Sequence, residues 1–149
     1  SAVKELDINI YWIYSNNDMG HDLIINSLNK INSKKIKIIK NLDREQFIEL
    51  MKNSKGLIGN SSCGIIEASM FRIPVLNIGS RQAGRPQSKN IINSDYTKKD
   101  VIKKIFYMKK NLKKLTKNIK NPYYKKDAPD QIFKLIFNFN KRDKIFNKY

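Results

Sequence analysis

An α/β domain with a mostly parallel sheet covered on both faces is the fold class predicted by three features of this chain. Short β-branched runs alternate about five times with apolar stripes at helical spacing. The run Gly56-Leu57-Ile58-Gly59 is apolar throughout, as a strand in the middle of a parallel sheet must be. The length of 149 residues fits one domain and leaves little room for two.

Each element has its own signal. Ile8-Asn9-Ile10-Tyr11-Trp12-Ile13-Tyr14 reads as a strand, and Ser15-Asn16-Asn17-Asp18-Met19-Gly20 as the polar turn after it. Asp18 or a neighbour can cap the next helix. Leu23, Ile24, Leu28 and Ile31 stripe that helix, which ends near residues 30–32, with His21 just inside its start. Ile36-Lys37-Ile38-Ile39 is the second strand. Asp43 is the N-cap candidate of a second helix, buried through Phe47, Ile48, Leu50 and Met51. The third strand, over residues 56–59, leads into a small polar turn and a helix within residues 60–71. Residues 73–78 form the fourth strand, with Pro74 tolerated at its start. A loop rich in Gly, Arg and Gln covers residues 79–87, and Lys89-Asn90-Ile91-Ile92 is the fifth strand. Val101, Ile105, Met108, Leu112 and Leu115 recur at steps of four and three, so residues 99–116 read as one long amphipathic helix. Asn121-Pro122-Tyr123 blocks its continuation, residues 130–138 form a last helix, and the tail over 141–149 is basic.

Composition excludes several classes of function. A single cysteine rules out a disulfide framework and a zinc knuckle, and a single histidine argues against a histidine-built metal site, so neither metal nor cofactor is expected. No run approaches the ~18 apolar residues of a membrane span, and no basic-then-apolar leader opens the chain, so the expected location is cytoplasmic with no membrane partner. The chain begins Ser-Ala-Val, which reads as a fragment.

The net charge of +17 invites a nucleic-acid reading. The residue types weaken it. Arginine, the better partner for phosphate and base edges, occurs only at Arg44, Arg72, Arg81, Arg85 and Arg142. Lys, Ile and Asn together fill 66 positions, the mark of a coding bias acting on every tolerant site. Twelve lysines between Lys98 and Lys126, against the single acid Asp100, fall mostly on a helix whose other face is apolar. They read as a solvated face. No nucleic-acid partner is expected, and a basic nucleic-acid-binding module stands as the alternative.

Ligands of open α/β sheets bind beyond the carboxyl ends of the strands, which directs attention to the turns there. Gly59-Asn60-Ser61-Ser62-Cys63-Gly64-Ile65-Ile66-Glu67-Ala68 joins a buried strand to a helix. Unpaired N–H groups at a helix start, its dipole and the hydroxyls of Ser61 and Ser62 make a cradle for an anion such as phosphate. The bland reading is that one serine caps the helix. The spacing matches neither the G-x-G-x-x-G fingerprint nor a Walker loop. Glu67 would be repelled by phosphate, but a carboxylate reaching past it can accept ribose hydroxyls, as acids do in dinucleotide folds; the alternative is a favourable acid near a helix start. Arg81-Gln82-Ala83-Gly84-Arg85 puts two scarce arginines on one loop, where they could clamp a diphosphate. Cys63 has no histidine near it in sequence to act as base and reads as structural, and His21 as a surface or capping residue.

These two segments and Asn121-Pro122-Tyr123 together resemble the UDP-N-acetylglucosamine 2-epimerases, most closely the hydrolysing branch that makes N-acetylmannosamine for sialic-acid and related sugar synthesis. The resemblance spans residues 8–138. It implies a Rossmann-like three-layer domain corresponding to the C-terminal half of a two-domain glycosyltransferase-B-type fold, with the N-terminal half absent and UDP held in the cleft between halves. Residues 1–149 would then be a single UDP-binding domain, working with that other half and within a homo-oligomer. By the resemblance, Ser61 and Ser62 would hold the diphosphate, Glu67 the ribose, and Arg81 would join in binding UDP. The backbone at Asn41-Leu42 would meet the uracil, and Asn16 would face the sugar and phosphate. The acid–base groups belong to the other half, so no catalytic residue is assigned here. A non-hydrolysing epimerase and a sugar transferase of the same architecture are the alternatives. Two departures stand out: Tyr124-Lys125-Lys126-Asp127 replaces the family's Gly-Asp-Gly, and Asn26 and Asn29 stand where animal enzymes carry feedback arginines, so no such feedback is expected.

Overall fold

The computed structural model describes residues 8–14, 21–31 and 33–139. The expected cap at Asp18 and the basic tail lie outside them. In chain order the elements are β1 (Ile10–Ile13), α1 (His21–Asn29), β2 (Ile36–Ile39), α2 (Arg44–Asn53), β3 (Leu57–Gly59), α3 (Ser62–Ile66), a 3₁₀ turn (Ala68–Phe71), β4 (Val75–Ile78), β5 (Ile91–Ser94), α4 (Lys98–Lys110), α5 (Leu112–Thr116) and α6 (Ala128–Phe139).

Every strand pairing among the described residues is parallel. The hydrogen bonding divides into two ladders, β1–β2 and β3–β4–β5. Ile10 lies opposite Ile36 in the first. Leu57 lies opposite Val75, and Val75 opposite Ile91, in the second.

Successive residues of a strand point to opposite faces of its sheet, and β4 uses both. Val75 joins Met51, Ala68 and Ile73 in one buried cluster, under α2 and the 3₁₀ turn. Leu76 joins Ile105, Met108 and Leu115 in another, under α4 and α5. Two faces with separate cores make three layers, with helices on either side of β4. Burying each of the Val, Leu, Ile and Met side chains among these is worth about 1.5–3 kcal/mol. Gly64 lets α3 lie close on the sheet: a Cβ there would come within 3.0 Å of Val75 and 3.3 Å of Leu57.

Two expected helices are shorter than their sequence patterns. The segment over residues 60–71 tightens from α3 into the 3₁₀ turn and closes at Arg72, whose backbone is left-handed and whose N–H bonds Ser69 O. A short 3₁₀ turn is a common helix ending, and here only two residues separate Arg72 from β4. The long helix over residues 99–116 breaks at Asn111. Its N–H is shared between Tyr107 O and Met108 O, and its Nδ2 also bonds Tyr107 O at 2.8 Å. The amide side chain thus competes for the helix carbonyls. The apolar stripe survives the break, since Leu115 of α5 packs with Ile105 and Met108 of α4. Beside this seam lies a cavity of about 620 Å³, rimmed by Lys89, Lys103, Lys104, Lys114 and Tyr107.

Candidate functional site

The turns at the carboxyl ends of β2, β3 and β4 carry the expected ligand-binding residues, and three side-chain contacts draw them together. After β2, Asp43 caps α2 through a reciprocal box: Gln46 N–H donates to Asp43 Oδ1 at 2.7 Å, and Asp43 N–H donates to Gln46 Oε1 at 3.3 Å. That fixes the backbone next to half-buried Leu42.

After β3, Gly59 has φ +155°, which L side chains rarely adopt, and the chain turns into Ser61, the N-cap residue of α3. Ser61 takes the N-cap position, but its hydroxyl makes no capping bond. Ser61 and Ser62 are both exposed. The N–H groups of Ser62 and Cys63 stand at the open end of the helix. With five residues α3 has little dipole of its own, so an anion here is met by N–H groups and hydroxyls more than by the full helix field first expected.

Glu67 closes α3, its N–H bonding Cys63 O at 2.9 Å. Its side chain keeps 26% of its accessible surface, and Arg44 Nη1 lies 3.0 Å from Oε2. That contact lies off the hydrogen-bonding direction, so Oε2, itself shut off from solvent, has an ion-pair partner but no hydrogen bond among the described residues.

After β4, Gly79 adopts φ +77° directly beneath Tyr96, where a Cβ would run into the ring. Ser80 N–H donates to the Tyr96 hydroxyl at 3.2 Å. The Ser80 hydroxyl, then its N–H, hold the Tyr96 phenol below its ordinary pKa. Arg81 and Arg85 sit on the exposed turn that follows. Between them Gln82 is buried, 3% exposed, and its Nε2 donates to Asn60 O at 2.8 Å. The arginine-bearing turn is thereby pinned to the Asn60-Ser61-Ser62 turn.

A third contact comes from far along the chain. Asn121 Nδ2 donates to Ile66 O at 2.9 Å, fixing the peptide just before Glu67, while Asn121 Oδ1 accepts from Tyr123 N–H at 2.9 Å. The Asn-Pro-Tyr run is thus a strut behind the Glu67 segment as well as a helix stop.

Leu42, Ser61, Ser62, Glu67 and Arg81 therefore all lie on turns at the carboxyl ends of parallel strands or on the short helix that follows β3. Asn16 lies outside the described residues. Cys63 is a half-buried free thiol, and His21 opens α1. Arg44, Gln82 and the strut role of Asn121 were missed by sequence reasoning. Their significance is a contact across 22 to 55 positions, which no local pattern records. Among the described residues no three His, Cys, Asp or Glu side chains converge as a metal site would require, and no helix is long and apolar enough to cross a membrane.

Comparison with known proteins follows the same lines. A family model described as UDP-N-acetylglucosamine 2-epimerase matches residues 1–137. A UDP-N-acetylglucosamine 2-epimerase of Neisseria meningitidis is 40% identical over 93 residues, which are 62% of this chain and 25% of that protein. A UDP-N,N'-diacetylbacillosamine 2-epimerase (hydrolyzing) of Legionella pneumophila is 40% identical over 97 residues, 64% of this chain and 26% of that protein. A crystal structure named for a UDP-N-acetylglucosamine 2-epimerase of Listeria monocytogenes superposes with TM-score 0.69 at 19% identity, over 96% of this chain and 41% of that one. The last likeness establishes the Rossmann-like fold. The chain spans about a quarter of the length of these two curated relatives.

Proposed function

This chain belongs to the UDP-N-acetylglucosamine 2-epimerase family, and on that premise we propose that it is the UDP-holding half of a two-domain enzyme that hydrolyses UDP-N-acetylglucosamine to UDP and N-acetylmannosamine. Its place would be in cytoplasmic synthesis of sialic acid or a related sugar, within a homo-oligomer. In the proposed reaction a base takes the C2 proton, the bond from C1 to the UDP oxygen breaks, and 2-acetamidoglucal forms. Water then adds, its hydroxyl at C1 and a proton at C2 on the face opposite the one the first proton left, which inverts C2. The proton-transfer groups belong to the other half.

This half supplies binding and charge stabilisation. As the C1–O bond breaks, negative charge grows on the departing diphosphate. Exposed hydroxyls of Ser61 and Ser62, the N–H groups at the start of α3 and the cation of Arg81 meet that charge where it develops. Glu67 accepts the ribose hydroxyls and the backbone at Leu42 meets the uracil; the role of Asn16 at the sugar rests on the resemblance alone, since it lies outside the described residues. The observation that carries this reading is the Gln82–Asn60 hydrogen bond of 2.8 Å, which keeps an arginine turn beside a serine turn at the ends of neighbouring parallel strands. The hydrolytic outcome is supported by the name of the Legionella relative.

Product analysis with the two-domain protein tests it. Free N-acetylmannosamine and UDP are expected. UDP-N-acetylmannosamine would place the protein with non-hydrolysing epimerases, and a new glycoside with transferases. Calorimetric titration of UDP tests the site: Glu67→Gln and Arg81→Ala should each weaken binding, the latter by about 1.5–3 kcal/mol for a lost charge-assisted contact. If both bind UDP as the parent does, the site lies elsewhere.

A further inference from the structure

Glu67 is held by a residue that nothing so far assigns to the site. Arg44 is the first residue of α2, directly after the Leu42 turn, and its guanidinium reaches Oε2 of Glu67 at 3.0 Å. The side chain is 68% exposed, so it is not there to fill a core. An ion pair with so solvated a partner adds little to stability. Yet both ends of the pair stand on fixed backbone. The Asp43–Gln46 box locks the start of α2, and the bonds from Glu67 N–H to Cys63 O and from Asn121 Nδ2 to Ile66 O lock the other side. A pair of low energetic worth whose two backbones are fixed, beside a carboxylate with a ligand role, points to orientation.

We propose that Arg44 is a positioning residue for ligand recognition. Its charge holds Oε2 to the Arg44 side, which limits the swing of the Glu67 carboxylate and leaves Oε1 for the hydroxyls of a ribonucleoside diphosphate. The consequence is discrimination for the ribose: a hydroxyl acceptor that swings freely gains little from a 2′- or 3′-hydroxyl, while a fixed one gains a full hydrogen bond. This rests on the reading of Glu67 as the ribose acceptor.

The test is calorimetric titration of the two-domain protein with UDP, 2′-deoxy-UDP and 3′-deoxy-UDP, comparing the parent with Glu67→Gln, Arg44→Ala, Arg44→Lys and the Arg44→Ala/Glu67→Gln double variant. The parent should prefer UDP over at least one deoxy form. Glu67→Gln should lose that preference. Arg44→Ala should cut it severalfold, within the roughly 2- to 160-fold span of coupling between contacting residues, while binding of the deoxy form changes little and the melting temperature holds. Arg44→Lys should restore part of the preference, and Arg44→Ala should add nothing once Glu67 is Gln. If Arg44→Ala keeps the parent's preference while Glu67→Gln loses it, the positioning role is wrong and the ribose role stands. If the parent shows no preference, or Glu67→Gln retains it, the ribose role is wrong and the positioning role falls with it. Should Arg44→Ala fail to fold, Arg44→Gln makes the same comparison.

Discussion

Gly79 and Gln82, three residues apart, do opposite kinds of work for the arginine turn. Gly79 supplies a backbone conformation, and the Tyr96 ring occupies the place its Cβ would take. Gly79→Ala is expected to cost roughly 1–3 kcal/mol in urea denaturation, from the strained backbone and the collision together. Adding Tyr96→Ala should recover the collision part and leave the backbone part. Gln82 supplies a tether: Gln82→Ala removes the bond to Asn60 O and should weaken UDP binding without touching either arginine. A parent-like affinity in that variant would show that the turn holds its place by other means. The placement of the serines, Glu67 and Arg81 after parallel strands was legible in the sequence because a strand–turn–helix join with small polar residues is a local pattern. Gln82, Arg44 and Asn121 were not. A polar residue in a polar loop looks solvated until the segment it touches is known, and Asn121 gave only the signal of a helix stop before proline.

At the scale of elements, the alternation of strand and helix was readable because period 2 and period 3.6 leave distinct marks, and β2 ran where its apolar run lay. The capping of α2 was equally plain: Asp43 bonds Gln46 N–H as its position foretold. Asp43→Ala should therefore cost about 1 kcal/mol. The break at Asn111 was hidden, since a stripe at steps of four and three runs on through it. The start of α4 carries an acid-sensitive cap. Asp95 accepts from the hydroxyl and the N–H of Thr97, and these bonds, aided by the Lys104 charge, hold its carboxyl below the usual aspartate pKa. A carboxyl lowered on folding contributes fully above its unfolded pKa and loses that contribution as the pH falls through its folded value. Acidification through and below the usual carboxylate range should thus lower the amide protection factors in the first turn of α4, and Asp95→Asn should weaken that dependence. On α6, Phe133 stacks on Phe137, and Ile132, Leu135 and Ile136 are each at least 56% exposed. These side chains give α6 a largely exposed apolar face. Taken alone, the 149-residue chain should self-associate through it, and Phe133→Glu should shift sedimentation toward the monomer.

At the scale of the molecule, the three-layer architecture was legible, but the division into two ladders was not. A strand's register and neighbours depend on long-range pairing that apolar runs do not encode. The 149-residue chain should also turn over no nucleotide sugar by itself, because positioning within a closed cleft and proton transfer supply much of such an acceleration; measurable release of N-acetylmannosamine from it would contradict the division of labour proposed. The lysine-rimmed cavity beside β5 has a further effect. Lys89, Lys103, Lys104 and Lys114 all line this one hollow beside α4 and the sheet, adding like charge in a chain that already carries +17. Such crowding strains the compact state and yields to counterions, so this protein should resist heat better in concentrated saline than in dilute buffer.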